Sequence, residues 1–333
     1  MKYYFKILLV SAVLAIVSSH AAAKTLKIAT LAPAGTTWMK EMKKGANEIK
    51  KKTEGRVKLK FYPGGVMGND ESVHRKIKIG QLHGGAFTSG GLSHVYPEIQ
   101  TLSLPMLFDS FEEVDYVRSR VDTQLKHNIE DSGFVLLGIS EGGFARILSQ
   151  SPLVDLEAIR QSKVWIPEGD ELVQSTFSTL GISPVSLPVS DVFTGLQTGL
   201  IETVTINPTA AIAFQWHSNM GYMTETPLTY IIGTLAIQKK AFDKLTSADQ
   251  AIVRDEIDQV FKRLDSLNRS DNKSASDALR NQGIEFVKPG AAELKRWKAL
   301  SEKSIQSMVD SGTISKAMLT EVNKHLSDFR KIQ

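Results

Sequence analysis

Polar and aromatic side chains stand where several apolar, strand-like segments end, and these residues are the best candidates for chemistry in the sequence. Arg146, Trp165, Asn207 and Thr88 each lie at or near such an end. In open α/β sheets, ligands bind beyond the carboxyl ends of the strands. Arg and Asn supply hydrogen-bond donors there, and Trp supplies a flat aromatic face. This combination predicts a site that binds a small molecule.

Several classes of function are disfavoured by the sequence. It has no HExxH, G-x-S-x-G, P-loop or G-x-G-x-x-G pattern. His74, His83 and His94 are too widely spaced to hold a metal from one element. The net charge is +4, with lysines spread along predicted helices, so we expect no nucleic-acid partner. We also expect a protein that is not an enzyme and that uses no cofactor.

Each candidate also has a purely structural interpretation. Arg146 would then pair with a surface carboxylate, and Trp165 would fill a core. Asn207 would cap the helix that begins at Pro208. Four further aromatic residues are candidate walls of a cleft or, alternatively, fillers between helices: Trp38, Phe214, Trp216 and Tyr230.

Strand and helix patterns alternate along the chain, and they determine where the candidates would lie. The first series has predicted strands at residues 25–31, 56–62 and 85–88, with helices at about 37–53 and 70–79. The second series has predicted strands at residues 134–139, 145–149, 163–166 and 201–206, with helices at 171–180 and 191–198. Such units favour parallel sheets covered on both faces. We therefore predict two α/β domains.

The last third of the chain is predicted to be largely helical. After an apolar strand at residues 230–237, Thr246 caps a helical pattern that runs from residue 248 to about 281. Val253, Ile257 and Val260 form part of an apolar seam along one face of it. A helix of this length spans about 50 Å, because each residue adds about 1.5 Å. We expect it to bridge both domains.

The first 23 residues have the pattern of a secretory signal peptide. A positively charged start is followed by an apolar run at residues 7–17 and by Ala21-Ala22-Ala23. The chain contains no cysteine, so we expect neither disulfides nor a lipid anchor. No later stretch reaches the length of a transmembrane helix. These features predict a free protein of a Gram-negative periplasm.

Four segments carry a resemblance to a known family. They are "GRVKLKFYPGGVMGND" at residues 55–70, "LSLPMLF" at 102–108, "LGISPVSLPVSDVFTGLQTGLIE" at 180–202 and "TSADQAIV" at 246–253. The sequence resembles, over essentially the whole chain after residue 23, the DctP-type solute-binding proteins of tripartite ATP-independent periplasmic (TRAP) transporters. The third segment is close to diagnostic of that family.

The resemblance implies a two-lobed α/β periplasmic binding protein with hinge strands and a long helix that spans both lobes. Lobe I would comprise residues 24–144 with 232–265, and lobe II residues 145–231 with 266–305. Residues 306–333 would form a C-terminal helical segment. The protein would act as a monomer that closes on a small organic solute and delivers it to the membrane permease subunits of a TRAP transporter.

The resemblance also assigns site residues by position. Arg146 matches a family Arg that holds an acidic group, Asn207 matches a ligand donor, and Thr88 falls at a polar contact. The family's most characteristic Arg belongs to a Lys-x-Arg-x-Pro strand and clamps a carboxylate. Trp165 occupies its place here, and an indole cannot form that paired bond. Glu168 follows closely and would repel an anion if it faced the cleft.

Three interpretations of the ligand remain open. The first is an organic acid held by Arg146 alone. The second is an aromatic, sugar-like or cationic solute stacked on Trp165. In the third, the site has lost transport function, and the protein presents a ligand to a membrane sensor or chemoreceptor. Transport is the function we predict, and the sensor module is the alternative.

Overall fold

The computed structural model describes residues 23–332, so the predicted signal peptide falls outside the described residues except for its last position. The strands in this part of the chain are β1 (Lys24–Thr30), β2 (Val57–Tyr62), β3 (Gly84–Thr88), β4 (Phe134–Ser149), β5 (Trp165–Pro167), β6 (Val185–Leu187), β7 (Thr203–Ile206), β8 (Tyr222–Thr224), β9 (Thr229–Gln238) and β10 (Glu285–Val287). The α-helices are α1 (Thr37–Lys52), α2 (Asp70–Lys78), α3 (Ser89–Ser93), α4 (Phe111–Asn128), α5 (Leu156–Gln161), α6 (Glu171–Thr179), α7 (Val192–Gln197), α8 (Pro208–Ala213), α9 (Lys239–Phe242), α10 (Ser247–Asn281), α11 (Ala291–Asp310) and α12 (Lys316–Ile332).

The main sheet has the strand order β10-β8-β4-β9-β3-β1-β2, and β7 also pairs with β4. On one side, β1 runs parallel to β2 and β3, as the alternation of strands and helices predicted. In the centre, β9 is antiparallel to both β3 and β4. The short strands β5 and β6 form a separate parallel pair, which a bridge from Val164 to Thr203 joins to β7.

The long strand β4 connects the two halves of the molecule. Its first part, to Ala145, pairs with β9, and its last four residues pair with β7 and β8. The sequence predicted two strands here, and the structure shows one. A bulge between Glu141 and Gly143 absorbs the extra residue, so pairing continues on both sides of it. Gly143 has a φ of 91°, which favours glycine over residues with a Cβ.

We call the part built on β2, β1, β3 and the paired ends of β9 and β4 lobe I, and the part built on β7, β8, β10, β5 and β6 lobe II. Lobe I buries apolar side chains on both faces of its sheet, which include Ile28 and Phe87. Lobe II has its own core around Leu148 and Val204. Each lobe therefore has a separate hydrophobic core, joined by the continuous strands β4 and β9.

Helix α10 lies against both lobes, as the sequence predicted. It begins after Thr246, whose hydroxyl accepts a hydrogen bond from the Asp249 main-chain nitrogen at 3.2 Å. It packs on α1 where Gly45 leaves room for Val260, and its later turns contact α8 of lobe II. The helix spans about 50 Å at 1.5 Å per residue.

The C-terminal helices do not stand apart from the lobes. Met308, Val322 and Leu326 are buried in the lobe I core, where α12 packs on α4. Near the start of α11, Trp297 is instead buried in a lobe II cluster with Ile147. The segment predicted at residues 306–333 thus adds its described part to lobe I, and α11 is a further connection between the lobes.

Candidate functional site

A cavity of about 450 Å³ lies between the two lobes. Lobe I supplies lining residues from the ends of β1 and β3 and from the start of α1, and lobe II supplies them from β5, β7 and α8. The hinge strands β4 and β9 run along it through Gly142 and Ile231. This volume falls within the range of small-molecule sites, which are commonly found at interfaces between domains.

Most of the residues singled out in the sequence line this cavity. Those that do are Trp38, Thr88, Trp165, Asn207, Phe214, Trp216 and Tyr230. Arg146 and Glu168 are not part of the lining. The strand-end argument therefore brings Thr88, Trp165 and Asn207 to one place and fails for Arg146.

Trp165 fills a core and also lines the cavity, so both interpretations from the sequence apply to it. Its side chain is buried in the lobe II core, with 5% of its surface exposed, and it also lines the cavity. The indole Nε1 donates to the main-chain oxygen of Leu187 at 3.0 Å. Trp216 meets the ring edge-on at 5.1 Å between centroids, and Phe214 stacks on Trp216 at 5.2 Å. Three aromatic rings thus form a continuous wall.

The side chain of Arg146 does not line the cavity. Its neighbours Ala145 and Ile147 line the cavity, and side chains alternate between the two faces of a strand. The Arg146 Nη1 lies 3.5 Å from the main-chain oxygen of Thr224. Burial lowers the pKa of the guanidinium, and the nearby charge of Glu225 opposes that effect. This placement does not match the expected role of Arg146 as the partner of a ligand carboxylate.

Asn207 and Thr88 both cap helices while they line the cavity. The Asn207 Oδ1 accepts from the Ala210 main-chain nitrogen at 2.7 Å, and its Nδ2 donates to the main-chain oxygen of Gly142 at 2.8 Å. The structural alternative for Asn207 is therefore realised, with an added bond to the hinge. The Thr88 hydroxyl accepts from the Gly91 nitrogen at 3.3 Å at the start of α3. Their polar groups are largely used within the protein.

Glu168 lies on the outer rim, where the lobes touch. It is exposed, and its carboxylate accepts a hydrogen bond from the Asn69 side chain of lobe I. Close by, the Gln100 Nε2 of lobe I donates to Asp170 Oδ1 of lobe II at 3.2 Å. These two bonds hold the lobes together at the mouth of the cavity.

Acidic side chains surround the cavity, and the sequence interpretation did not anticipate their number. The lining carboxylates are Asp70, Glu141, Asp170 and Asp271. Within the described residues, the lining includes no lysine, arginine or histidine. Glu141 is fully buried, and Arg269 donates to its Oε2 at 2.8 Å. Its Oε1 has no hydrogen-bond partner among residues 23–332.

Asp70 and Asp170 approach each other from opposite lobes. Burial, followed by the charge of Asp170, raises the pKa of Asp70 to about 6. Burial also raises the pKa of Asp170, and hydrogen bonds from Val173 and Gln100 oppose the shift. Both residues lie at the start of a helix, Asp170 as the N-cap of α6 and Asp70 in the first turn of α2, where acidic residues are common without any role in a cavity.

Metal binding and membrane insertion find no support in this part of the chain. Residues 23–332 contain no group of three His, Cys, Asp or Glu side chains arranged to hold a metal ion. Among the helices that the structure describes, none combines the length and apolar character needed to cross a bilayer.

Residues 28–311 match the profile of a family described as bacterial extracellular solute-binding protein, family 7, or DctP. The chain belongs to the DctP family. This membership confirms the resemblance seen in the sequence. It also confirms that the chain is a solute-binding protein and not an enzyme.

Named relatives of this DctP protein are periplasmic binding proteins. The sialic acid-binding periplasmic protein SiaP of Vibrio cholerae is 20% identical over 322 residues, which cover 95% of this chain and 99% of that protein. The 2,3-diketo-L-gulonate-binding periplasmic protein YiaO of Escherichia coli is 21% identical over 246 residues, 74% of this chain and 75% of that protein.

A solved structure shows the same architecture. The sugar acid binding protein DctPAm of Advenella mimigardefordensis, in complex with galactonate, superposes with a TM-score of 0.85 at 18% identity and covers 92% of this chain and 99% of that chain. The predicted two-lobed fold of this DctP protein is confirmed by the likeness.

Proposed function

We propose that this protein is a periplasmic solute-binding protein that captures a small organic solute between its lobes and delivers it to the membrane subunits of a TRAP-type secondary transporter. The observation that carries the proposal is the cavity of about 450 Å³, which both lobes line and the hinge strands cross. Its volume suits a small metabolite. The named relatives bind sialic acid and 2,3-diketo-L-gulonate, which are solutes of that size class.

The site of this protein is atypical in its ligand contacts. Trp165 stands where the resemblance places a carboxylate-clamping Arg, and it offers the ligand an aromatic surface beside Phe214. Trp38 and Thr88 extend the binding surface from lobe I, and Asn207 adds a polar contact at the hinge. Stacking and shape complementarity therefore replace the paired Arg–carboxylate bond as the source of specificity.

Capture requires the lobes to separate and to close again. The bonds from Asn69 to Glu168 and from Gln100 to Asp170 cross the rim and would break when the lobes open. The strands β4 and β9 and the helix α10 remain continuous through the motion, with the bulge at Gly143 as the point of bending. The solute enters the open form, and closure encloses it.

The test combines ligand identification with transport. A thermal-shift screen identifies the solute, because a ligand that binds only the folded state raises the melting temperature. Deleting the gene for this protein, or the genes for the permease subunits of its transporter, should then abolish uptake of that solute. Normal uptake together with a lost chemotactic or transcriptional response would support the sensor module instead and contradict the transport role.

A further inference from the structure

The charges that face the cavity have one sign. Glu141 is compensated by Arg269, which donates to it at 2.8 Å. Asp70, Asp170 and Asp271 take part in no salt bridge within the described part of the chain. A low-dielectric cavity concentrates such uncompensated charge, so an anionic solute would be repelled on entry. The cavity therefore favours a solute with a positive charge.

Asp70 and Asp170 form the centre of this negative region. Gly90 and Gly91, which are adjacent in α3, each lie under one of the two carboxylates. A Cβ on Gly90 would collide with Asp170 Oδ2, and a Cβ on Gly91 would collide with Asp70 Oδ2. The two glycines thus make room for two acidic groups side by side, one from each lobe.

The hydrogen bonds of this pair are incomplete. Asp170 accepts from the Val173 main-chain nitrogen at 3.1 Å and from Gln100 at 3.2 Å. Asp70 accepts no hydrogen bond from any side chain or main-chain group of residues 23–332. Glu141 Oε1, which is fully buried in the same lining, has no partner there either. An unpaired buried acceptor such as Glu141 Oε1 is costly, and the half-buried carboxylate of Asp70 is free to accept hydrogen bonds from a ligand.

We propose that the solute carries a protonated amine, and that this ammonium group binds between Asp70 and Asp170 when the lobes close. An ammonium group has three donors and no acceptor, which matches two carboxylates with free acceptor sites. Because the carboxylates come from opposite lobes, the bound cation also replaces their mutual repulsion by attraction to both. The inference rests on the proposed function, whose ligand class it specifies.

The remaining lining of the cavity indicates what kind of chemical group is attached to the amine. Apolar side chains form a branch of the cavity in lobe II, including Leu156, Phe177 and Ile182. On another side lies the aromatic wall of Trp165 and Trp216. A metal cation would use neither surface, and the described residues offer no third ligand for one. An organic amine with an apolar or aromatic body uses both surfaces and the acidic pair.

The experiment compares three probes of one shape and three charges, namely 2-phenylethylamine, 2-phenylethanol and phenylacetate, by calorimetry at pH 7.5. A thermal-shift library of amines, neutral compounds and acids accompanies them. We expect 2-phenylethylamine to bind more tightly than the alcohol and phenylacetate not to bind. Asp70→Asn and Asp170→Asn should each weaken amine binding by roughly tenfold or more, since each removes a charged hydrogen bond.

Asparagine suits the N-cap position of Asp170, and α2 keeps its own N-cap Asn69 when Asp70 is replaced, so these variants should fold, and their melting temperatures verify it. Asp243→Asn, at an exposed position directly after α9, is the matched control and should leave amine binding unchanged. Tighter binding of acids or neutral compounds than of amines would overturn the inference and leave the proposed function standing. A library in which no compound of any charge binds would overturn the proposed function as well.

Discussion

The indole nitrogen of Trp165 donates a hydrogen bond to the main-chain oxygen of Leu187, 3.0 Å away on the neighbouring strand β6. This bond uses the one polar hydrogen of the indole, so Trp165 meets the cavity with an apolar surface. Trp216 packs edge-on against the ring. Trp165, which the family resemblance places at the position of an Arg, therefore completes the wall of the cavity and supplies no charge to it.

Two substitutions of Trp165 should reduce stability to different extents, because one keeps an aromatic ring and the other removes it. Trp165→Phe keeps a ring, and the Leu187 oxygen retains a second donor, the Glu168 main-chain nitrogen at 3.3 Å. We expect a loss of about 1 kcal/mol in the free energy of unfolding. Trp165→Ala opens a cavity beside Trp216 and should cost about 3–5 kcal/mol. Urea denaturation measures both values, and equal losses would show that the ring does not pack as described.

The contribution of Asp70 to the stability of the ligand-free protein should fall as pH rises from 3.8 to about 6. The pKa of Asp70 is raised from its ordinary 3.8 to about 6 by burial and by the charge of Asp170. The charge of His94 acts in turn on Asp170, where it opposes the rise in pKa that burial causes. In this window Asp70 is more protonated in the folded protein than in the unfolded chain, so each increase in pH reduces its contribution to stability. Melting temperatures across the window measure the effect.

The matched comparison for this pH effect is Asp70→Asn against Asp243→Asn. The first variant removes the titrating group and should flatten the pH dependence, with a gain in stability at pH 7.5. The second alters an exposed acid directly after α9, paired with Lys239, and should keep the slope of the wild type. Parallel curves for all three proteins would contradict the assignment to Asp70.

The bulge in β4 should be sensitive to any side chain at Gly143. Its φ is 91°, and an added Cβ would lie 2.6 Å from the Nδ2 of Asn272, which donates to the Gly142 oxygen. Gly133→Ala is a control, because Gly133 has a φ of 82° and no atom within 4 Å of an added Cβ. We expect about 1–2 kcal/mol of destabilisation for the control and more for Gly143→Ala.

Ligand affinity distinguishes the two glycine variants further. Gly143→Ala displaces Asn272 at the point where the lobes bend, so closure and ligand binding should both be weakened. Gly133→Ala lies at the start of β4, away from the cavity, and should leave affinity unchanged. Equal affinities in the two variants, measured by calorimetry, would argue against the bulge as the bending point.

The contact between Glu168 and Asn69 should affect ligand release more than stability. Glu168 is exposed, and exposed polar contacts contribute about 0–1 kcal/mol. Glu168→Ala should therefore change the free energy of unfolding by less than about 0.5 kcal/mol. The dissociation rate of the ligand should rise a few-fold, as stopped-flow measurements would show. The control Glu71→Ala removes an exposed pair with Arg75 within α2 and should leave that rate unchanged.

Much of the fold could be predicted from the spacing of apolar residues in the sequence. The alternation in β2 and the apolar seam of α10 reflect strand and helix periods, which burial on one face imposes. The division of β4 into two predicted strands was wrong, because Gly142-Gly143 resembles a turn. The bulge becomes evident only when β9 is seen to pair on both sides of it.

The site was less accessible to sequence analysis, for two physical reasons. A shift of one residue moves a strand side chain to the opposite face, and a bulge introduces such shifts. The direction of Arg146, which follows the bulge in β4, could not be deduced from its position in the chain. Asp70 and Asp170 lie at helix starts, where acids are common for local reasons. Their approach depends on how the two lobes meet.

Adding a positive charge to the site and removing a negative one should change its preferred ligand from an amine to a carboxylic acid. In Trp165→Arg combined with Asp170→Asn, a guanidinium enters at the aromatic wall, and one carboxylate of the acidic pair is neutralised while its helix keeps a capping side chain. We expect this double variant to lose binding of 2-phenylethylamine and to gain measurable binding of phenylacetate by calorimetry. Trp165→Phe combined with Asp170→Asn is the control, since it neutralises the same carboxylate and brings no cation. If the control bound phenylacetate to the same extent, removal of the repulsion by Asp170 would be sufficient and the new Arg would have no effect. If both variants still bound the amine, Asp170 would not hold the ammonium group.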